Sequence, residues 1–145
     1  MNFLLGQTYE IENLISREGK FTENEFQDVI IETKRDIRKY GITNCDILIT
    51  TTKEIELVDN KQFLNIEILI PVCCRVYCDA PYNFKEKIKI VNALYIRENN
   101  IANINNTMEQ INQYINENNL QPITPAYLVQ KKLKDNIITD IYISI

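Results

Sequence analysis

Apolar residues recur at helical steps in two stretches of the chain and at alternate positions through much of the remainder. In the first stretch Phe26, Val29, Ile30, Ile37 and Tyr40 fall on one stripe, with Thr33 among them. Thr22 and Glu25 precede most of this stripe in capping-box spacing, with Phe21 and Phe26 at the staple positions. Gly41 follows, the residue best suited to a left-handed helix end. The spacing predicts a helix over residues 23–40. In the second stretch Ile101, Ile104, Met108, Ile111 and Ile115 repeat at three- and four-residue steps, with Tyr114 beside them. Asn100 is the expected N-cap, Asn119 the left-handed stop, and Pro122 bars continuation. The outer face of this helix is rich in asparagine, a poor helix former, so tertiary packing must hold it.

The other segments read as strands over residues 9–16, 46–51, 55–58, 63–72, 84–97, 127–133 and 138–145. Asp59-Asn60 and Lys134-Asp135-Asn136 supply turns, and residues 74–83 connect two halves. Each half thus runs strand, helix, strand, strand. Arg17-Glu18-Gly19 before the first helix matches Arg97-Glu98-Asn99 before the second, and Tyr40-Gly41-Ile42 after the first matches Asn118-Asn119-Leu120 after the second. Each half closes on alternating isoleucines: Ile66, Ile68 and Ile70, then Ile141, Ile143 and Ile145. These agreements predict one α+β domain over residues 1–145, with repeat one at about 7–72 and repeat two at about 84–145. The duplicated units are expected to be related by a pseudo-twofold axis, forming an antiparallel sheet with both helices on one face.

Period-two alternation divides the closing strands. The isoleucines are expected under the helices. Asn65, Glu67 and Leu69, with Asp140, Tyr142 and Ser144, take the opposite face, where solvation is the simpler reading of Glu67 and Asp140. A cleft between the halves on that face is the expected place for a ligand.

Composition narrows the functions. At 145 residues, 45% hydrophobic and 25% charged, the chain can bury a core, and no apolar run is long enough to span a bilayer. Its first residues lack a secretory pattern, so a cytoplasmic protein is expected. A net charge of −4 argues against direct nucleic-acid binding. Lys85, Lys87 and Lys89, opposite Phe84, Ile88 and Ile90, read as a solvated strand face, as does Lys131-Lys132-Leu133-Lys134. Cys45, Cys73, Cys74 and Cys78 come without any histidine, and Cys73 and Cys74, if extended, point to opposite faces. Free thiols, with no metal and no cofactor, are the expectation.

Several segments carry a family likeness. Pro125-Ala126-Tyr127-Leu128-Val129-Gln130, then Thr139-Asp140-Ile141-Tyr142-Ile143-Ser144-Ile145, resemble the closing segment of GyrI-like domains, the effector-binding domains of multidrug-responsive bacterial regulators. Asn119-Leu120-Gln121-Pro122 and Ile68-Leu69-Ile70-Pro71-Val72 are similar to that family's turn after helix two and its first closing strand. The resemblance implies binding of small, often cationic or aromatic molecules between the halves; some members inhibit gyrase, some sense ligands in transcription regulation, and some hydrolyse small electrophiles. It places Leu128 and Gln130 where the family carries a cleft glutamate and an aromatic residue. A charge-free cleft for an apolar or aromatic ligand follows, with Glu67, Tyr95, Tyr127, Leu128, Gln130 and Tyr142 as candidate ligand-binding residues and none catalytic. A protein-interaction module using the same surface, or a small hydrolase using Glu67 or Asp140 with a tyrosine, are the alternatives.

Overall fold

The computed structural model describes residues 2–40 and 46–145. β1 (Leu4–Phe21) leads through a 3-10 turn at Glu23–Glu25 into α1 (Phe26–Ile37), which tightens into a second 3-10 turn at Arg38–Tyr40. β2 (Ile47–Val58), β3 (Lys61–Pro71) and β4 (Tyr82–Glu98) follow, then a 3-10 turn at Ile101–Asn103, α2 (Ile104–Glu117), β5 (Tyr127–Leu133) and β6 (Asn136–Ser144).

The helix signals hold where they can be compared. The Glu25 carboxylate accepts the Thr22 backbone N–H at 2.9 Å and the Thr22 hydroxyl at 2.8 Å. The Asn100 side chain accepts from the Ala102 N–H at 3.1 Å. Asn119 takes φ 53°, and the Leu120 N–H returns to the Ile115 carbonyl at 3.0 Å, the hydrogen bond of a Schellman stop. Gly41 and Cys45 lie outside the described residues. Asp59 and Asn60 both have positive φ, 51° and 65°, as a two-residue hairpin between β2 and β3 requires.

Two strands differ most from the periodicity: β1 runs past residues 9–16 at both ends, and residues 46–51 and 55–58 merge into the single strand β2. β1 and β4 pair antiparallel with Glu10 opposite Lys89 and Glu12 opposite Lys87, so residues that interrupt the apolar pattern are satisfied by their neighbours. Lys87 and Lys89 reach Glu10 at 3.4 and 3.9 Å.

All the strand pairs are antiparallel, and the sheet closes in the order β1-β3-β2-β5-β6-β4. The expected antiparallel sheet is present, and its closure makes the surface away from the helices the inside of a barrel. Its cluster of Leu14, Ile49, Leu69, Ile90, Ala93, Val129 and Tyr142 draws on every strand. The outside is covered twice. α1 gives Val29, Ile30 and Ile37 to Ile66, Ile68 and Ile70 of β3; α2 gives Ile111 and Ile115 to Ile141 and Ile143 of β6. The alternating isoleucines therefore lie under the helices, as their period requires. Among the described residues no helix is long and apolar enough to cross a membrane.

Candidate functional site

Strand register assembles one row of side chains from five strands. Glu67 of β3 stands opposite Thr51 of β2, Thr51 opposite Tyr127 of β5, Tyr127 opposite Tyr142 of β6, and Tyr142 opposite Tyr95 of β4. Directly opposed residues lie side by side on one face of a sheet. Tyr142, Tyr95 and Tyr127 belong to the inner cluster, which places the row inside the barrel. Tyr9 of β1 joins from above: its ring stacks on Tyr142 at 4.9 Å between centroids, and Tyr95 lies against Tyr142 at the same separation. The adjoining row, Leu69-Ile49-Val129, ends in Asp140 and Arg97.

Both acids are buried, each at 1% side-chain exposure, so the expectation of solvated carboxylates is overturned. Each is held by a cage. Glu67 accepts the Ser16 hydroxyl at 2.5 Å, with Lys85 at 2.6 Å and Lys53 at 3.6 Å. Asp140 accepts two hydrogen bonds from Arg97, at 2.7 and 3.0 Å, and the Tyr95 hydroxyl at 2.8 Å, with Lys131 at 3.1 Å. Burial alone pushes both carboxyls up. Hydrogen bonds from Lys85 and Ser16, and from Arg97, Tyr95 and Lys131, outweigh it and hold both below the usual carboxylate range. The tyrosines move the other way. Burial first, then Tyr142 and Asp140, pushes Tyr9 up to about 12; burial, then the hydrogen bond to Asp140, does the same to Tyr95. Their hydroxyls stay protonated at neutral pH.

Thr51 stands between Glu67 and Tyr127 in the row, 2% exposed, and its hydroxyl has no hydrogen-bond partner. Among the described residues Thr139 is the other buried side chain in that condition. Leaving a buried hydroxyl unpaired costs about 1–3 kcal/mol. A surface hollow of about 330 Å3 bounded by Thr22, Glu23, Asn24, Lys61 and Gln62 offers no aromatic surface.

Four of the sequence candidates, Glu67, Tyr95, Tyr127 and Tyr142, thus share one row. Leu128 and Gln130 do not. Leu128 packs with the α2 cluster and stands opposite Ile141, while Gln130 pairs with Leu48, a member of the α1 cluster. The period-two parity of β5 gives the inside to Tyr127 and Val129 instead. Lys85 and Lys131 are cage residues and not solvated bystanders. Facing changes along β4: Lys85 turns inward to Glu67, as Ile88 and Ile90 turn to the inner cluster, so Lys85 does not share a side with Lys87 and Lys89, which both reach Glu10. On β1, Ile11 and Leu14 both face inward, with Asn13 between them at φ 59°. Cys73 and Cys74 are corrected too. The chain bends there, and their sulfurs lie 3.5 Å apart. Tyr9, Ser16, Thr51 and Arg97 went unread as site residues. Alternation of Tyr9 with Ile11 was a signal for the first; the others become visible only through cross-strand register.

No protein-family model matches the chain, and no curated protein matches its sequence. Solved structures do match it. Against the crystal structure of the EcmrR C-terminal domain the TM-score is 0.63 at 12% identity, covering 99% of this chain and 98% of that one. Against the cryo-EM structure of the EcmrR–DNA complex in EcmrR-RPo it is 0.65 at 11% identity, covering 97% of this chain but 56% of that one, so this chain spans little more than half its length. Against SAV2435 bound to tetraphenylphosphonium it is 0.51 at 12% identity, covering 99% and 93%. The chain shares the fold of these domains, and the expected GyrI-like resemblance holds at the level of the fold.

Proposed function

We propose that this is a non-catalytic effector-binding domain that takes a small aromatic molecule on the inner row Glu67-Thr51-Tyr127-Tyr142-Tyr95. The row itself carries the reading: stacked tyrosines supply aromatic surface, and the unpaired Thr51 hydroxyl supplies a point of polar recognition. SAV2435, of the same fold, was solved with an aromatic-substituted cation, which supports ligand binding by this architecture.

The ligand preference differs in charge. Each buried acid already faces two cations, Lys85 and Lys53 at Glu67, Arg97 and Lys131 at Asp140. A lipophilic cation entering the row meets neutralised carboxylates and gains little ion pairing. Neutral aromatics are therefore favoured. The sequence reached the same preference from Leu128; the better ground is that the acids are present and spent. A hydrolase would need a carboxylic acid with a raised pKa, and both are held low. A protein partner would need an outward surface, whereas the row faces inward.

Duplication is part of this reading. β3 lies between β1 and β2 as β6 lies between β4 and β5, and the two caged acids occupy those middle strands. Exposed free thiols at Cys73 and Cys74 suit a reducing, cytoplasmic setting.

The test is a calorimetric titration with 2-naphthol, naphthalene-2-carboxylate and 2-naphthylmethylammonium. Saturable binding of 2-naphthol, at least tenfold tighter than the ammonium and lost in Tyr142→Leu, supports the proposal. Tightest binding by the ammonium overturns the charge preference, and no binding by any of the three overturns the site.

A further inference from the structure

After Pro71 the chain leaves β3 under restraint: the Val72 N–H donates to the Asn13 carbonyl at 2.8 Å. It then bends at Cys73 and Cys74. Neighbouring residues of an extended strand point apart. The bend removes that constraint and brings the two sulfurs to 3.5 Å, with both residues exposed to solvent.

Two thiols at that spacing can close on a single soft centre. An atom bonded to both sulfurs at about 2.3 Å, a usual metal–thiolate length, subtends them at an angle of about 100°. This is narrower than the tetrahedral angle and suits a pyramidal centre carrying a lone pair. A structural zinc site needs four protein ligands. Here the sequence has no histidine, and among the described residues no three of His, Cys, Asp and Glu converge. Cys78 is a separate, half-buried thiol. The donor set is two adjacent sulfurs, and the ligand it fits is thiophilic, trivalent and satisfied by two thiols.

We propose that Cys73 and Cys74 form a bidentate capture site for trivalent arsenicals, independent of the aromatic row. The reaction is substitution without redox. An arsonous centre, R–As(OH)2, loses two As–O bonds and gains two As–S bonds; each thiol proton leaves with one hydroxide as water, and arsenic stays trivalent. No preformed thiolate is required. This matters because the contact with Cys73 pushes the Cys74 thiol up from its ordinary value.

Phenylarsine oxide, mixed with the reduced full-length protein and followed by native mass spectrometry, tests the site. The expected product carries one phenylarsenic group in place of two hydrogens, survives excess 2-mercaptoethanol and is released by 2,3-dimercaptopropanol. Cys73→Ser and Cys74→Ser should each weaken capture at least tenfold, while Cys78→Ser and Cys45→Ser should leave it unchanged. Wild-type adduct that washes off in monothiol as readily as that of the single variants overturns the proposal. So does loss of capture in Cys78→Ser or Cys45→Ser, or zinc held one to one after dialysis.

Discussion

Tyr9 and Tyr142 stack at 4.9 Å although they come from the first and last strands and those strands do not pair. β4 lies between them, carrying Tyr95 against the same ring. A flat sheet would hold side chains two strands apart at about 10 Å, twice the inter-strand spacing. Closure of the barrel curls β1 over β6 and brings the rings into contact. The aromatic site is thus a product of closure, and it should respond to anything that alters the curl.

Tyr142 is the ring the other two share. Tyr142→Leu keeps apolar bulk but removes both ring pairs, each worth about 0.5–1.5 kcal/mol. We expect a loss of about 1–3 kcal/mol in urea unfolding and at least tenfold weaker binding of 2-naphthol. Tyr142→Phe, which retains the stacks, should bind within about twofold of wild type. Equal binding by the leucine variant would move the ligand away from this ring.

Thr51 separates stability from recognition. Its buried hydroxyl has no partner, so Thr51→Val should raise the unfolding free energy, by about 1 kcal/mol, because an unsatisfied polar group becomes apolar at nearly constant volume. Binding should move the opposite way. A hydroxylated aromatic such as 2-naphthol should lose about tenfold, and naphthalene itself should lose nothing. A variant that is less stable, or that weakens both ligands equally, would show that Thr51 has a structural partner and no recognition role.

Acid should unfold the domain through its two cages. Glu67 and Asp140 have folded pKa values below their ordinary values of 4.5 and 3.8. Depressed carboxyls stabilise fully above their unfolded pKa, and that contribution fades as pH falls through the folded one. Stability should therefore be level from about pH 7 to 5 and fall below about pH 4, where the unfolded chain takes up protons first. Glu67→Gln and Asp140→Asn should each flatten this fall while lowering stability at neutral pH. Thermal melts from pH 3 to 7 on the three proteins give the comparison; an unchanged acid limb in both variants would exclude the cages as its origin.

Sequence alone discloses much of this domain because its signals are local. Caps at Thr22–Glu25 and Asn100, the left-handed Asn119, the Asp59-Asn60 hairpin and the isoleucine alternation each act over a few residues. Which acid is caged is a different kind of fact. Lys85 reads as an exposed strand lysine until β4 is known to bring it to Glu67, eighteen residues away in sequence and on the far side of β1, which pairs with both β3 and β4 in a way no periodicity reveals. Likewise, alternation states that Leu128 and Val129 face opposite sides but not which side is inside. A likeness to family segments assigned Leu128 to the cleft; the opposition of Leu128 to Ile141 assigns it to α2.

That one-residue difference has a decisive test. Were Leu128 on the inner row, Leu128→Glu would put a carboxylate beside the tyrosines and gain affinity for lipophilic cations. It lies instead in the apolar cluster of Ile111, Ile115, Ile141 and Ile143, half-buried under α2. A carboxylate there loses the leucine's burial, worth about 1.5–3 kcal/mol when complete, and adds the cost of desolvating a charge. We expect Leu128→Glu to lower stability by about 2–4 kcal/mol at pH 7, to recover part of that loss near pH 5 as the new acid protonates, and to bind cationic rhodamine dyes no better than wild type. Val129→Glu is the informative counterpart, because Val129 is buried on the inside, opposite Ile49 and Asp140. It should be destabilised as well, but its new charge would compete with Asp140 for Lys131 and Arg97 and weaken binding of aromatic anions relative to neutral 2-naphthol. Rhodamine binding gained by Leu128→Glu with stability intact would return Leu128 to the cleft and reverse the facing of β5.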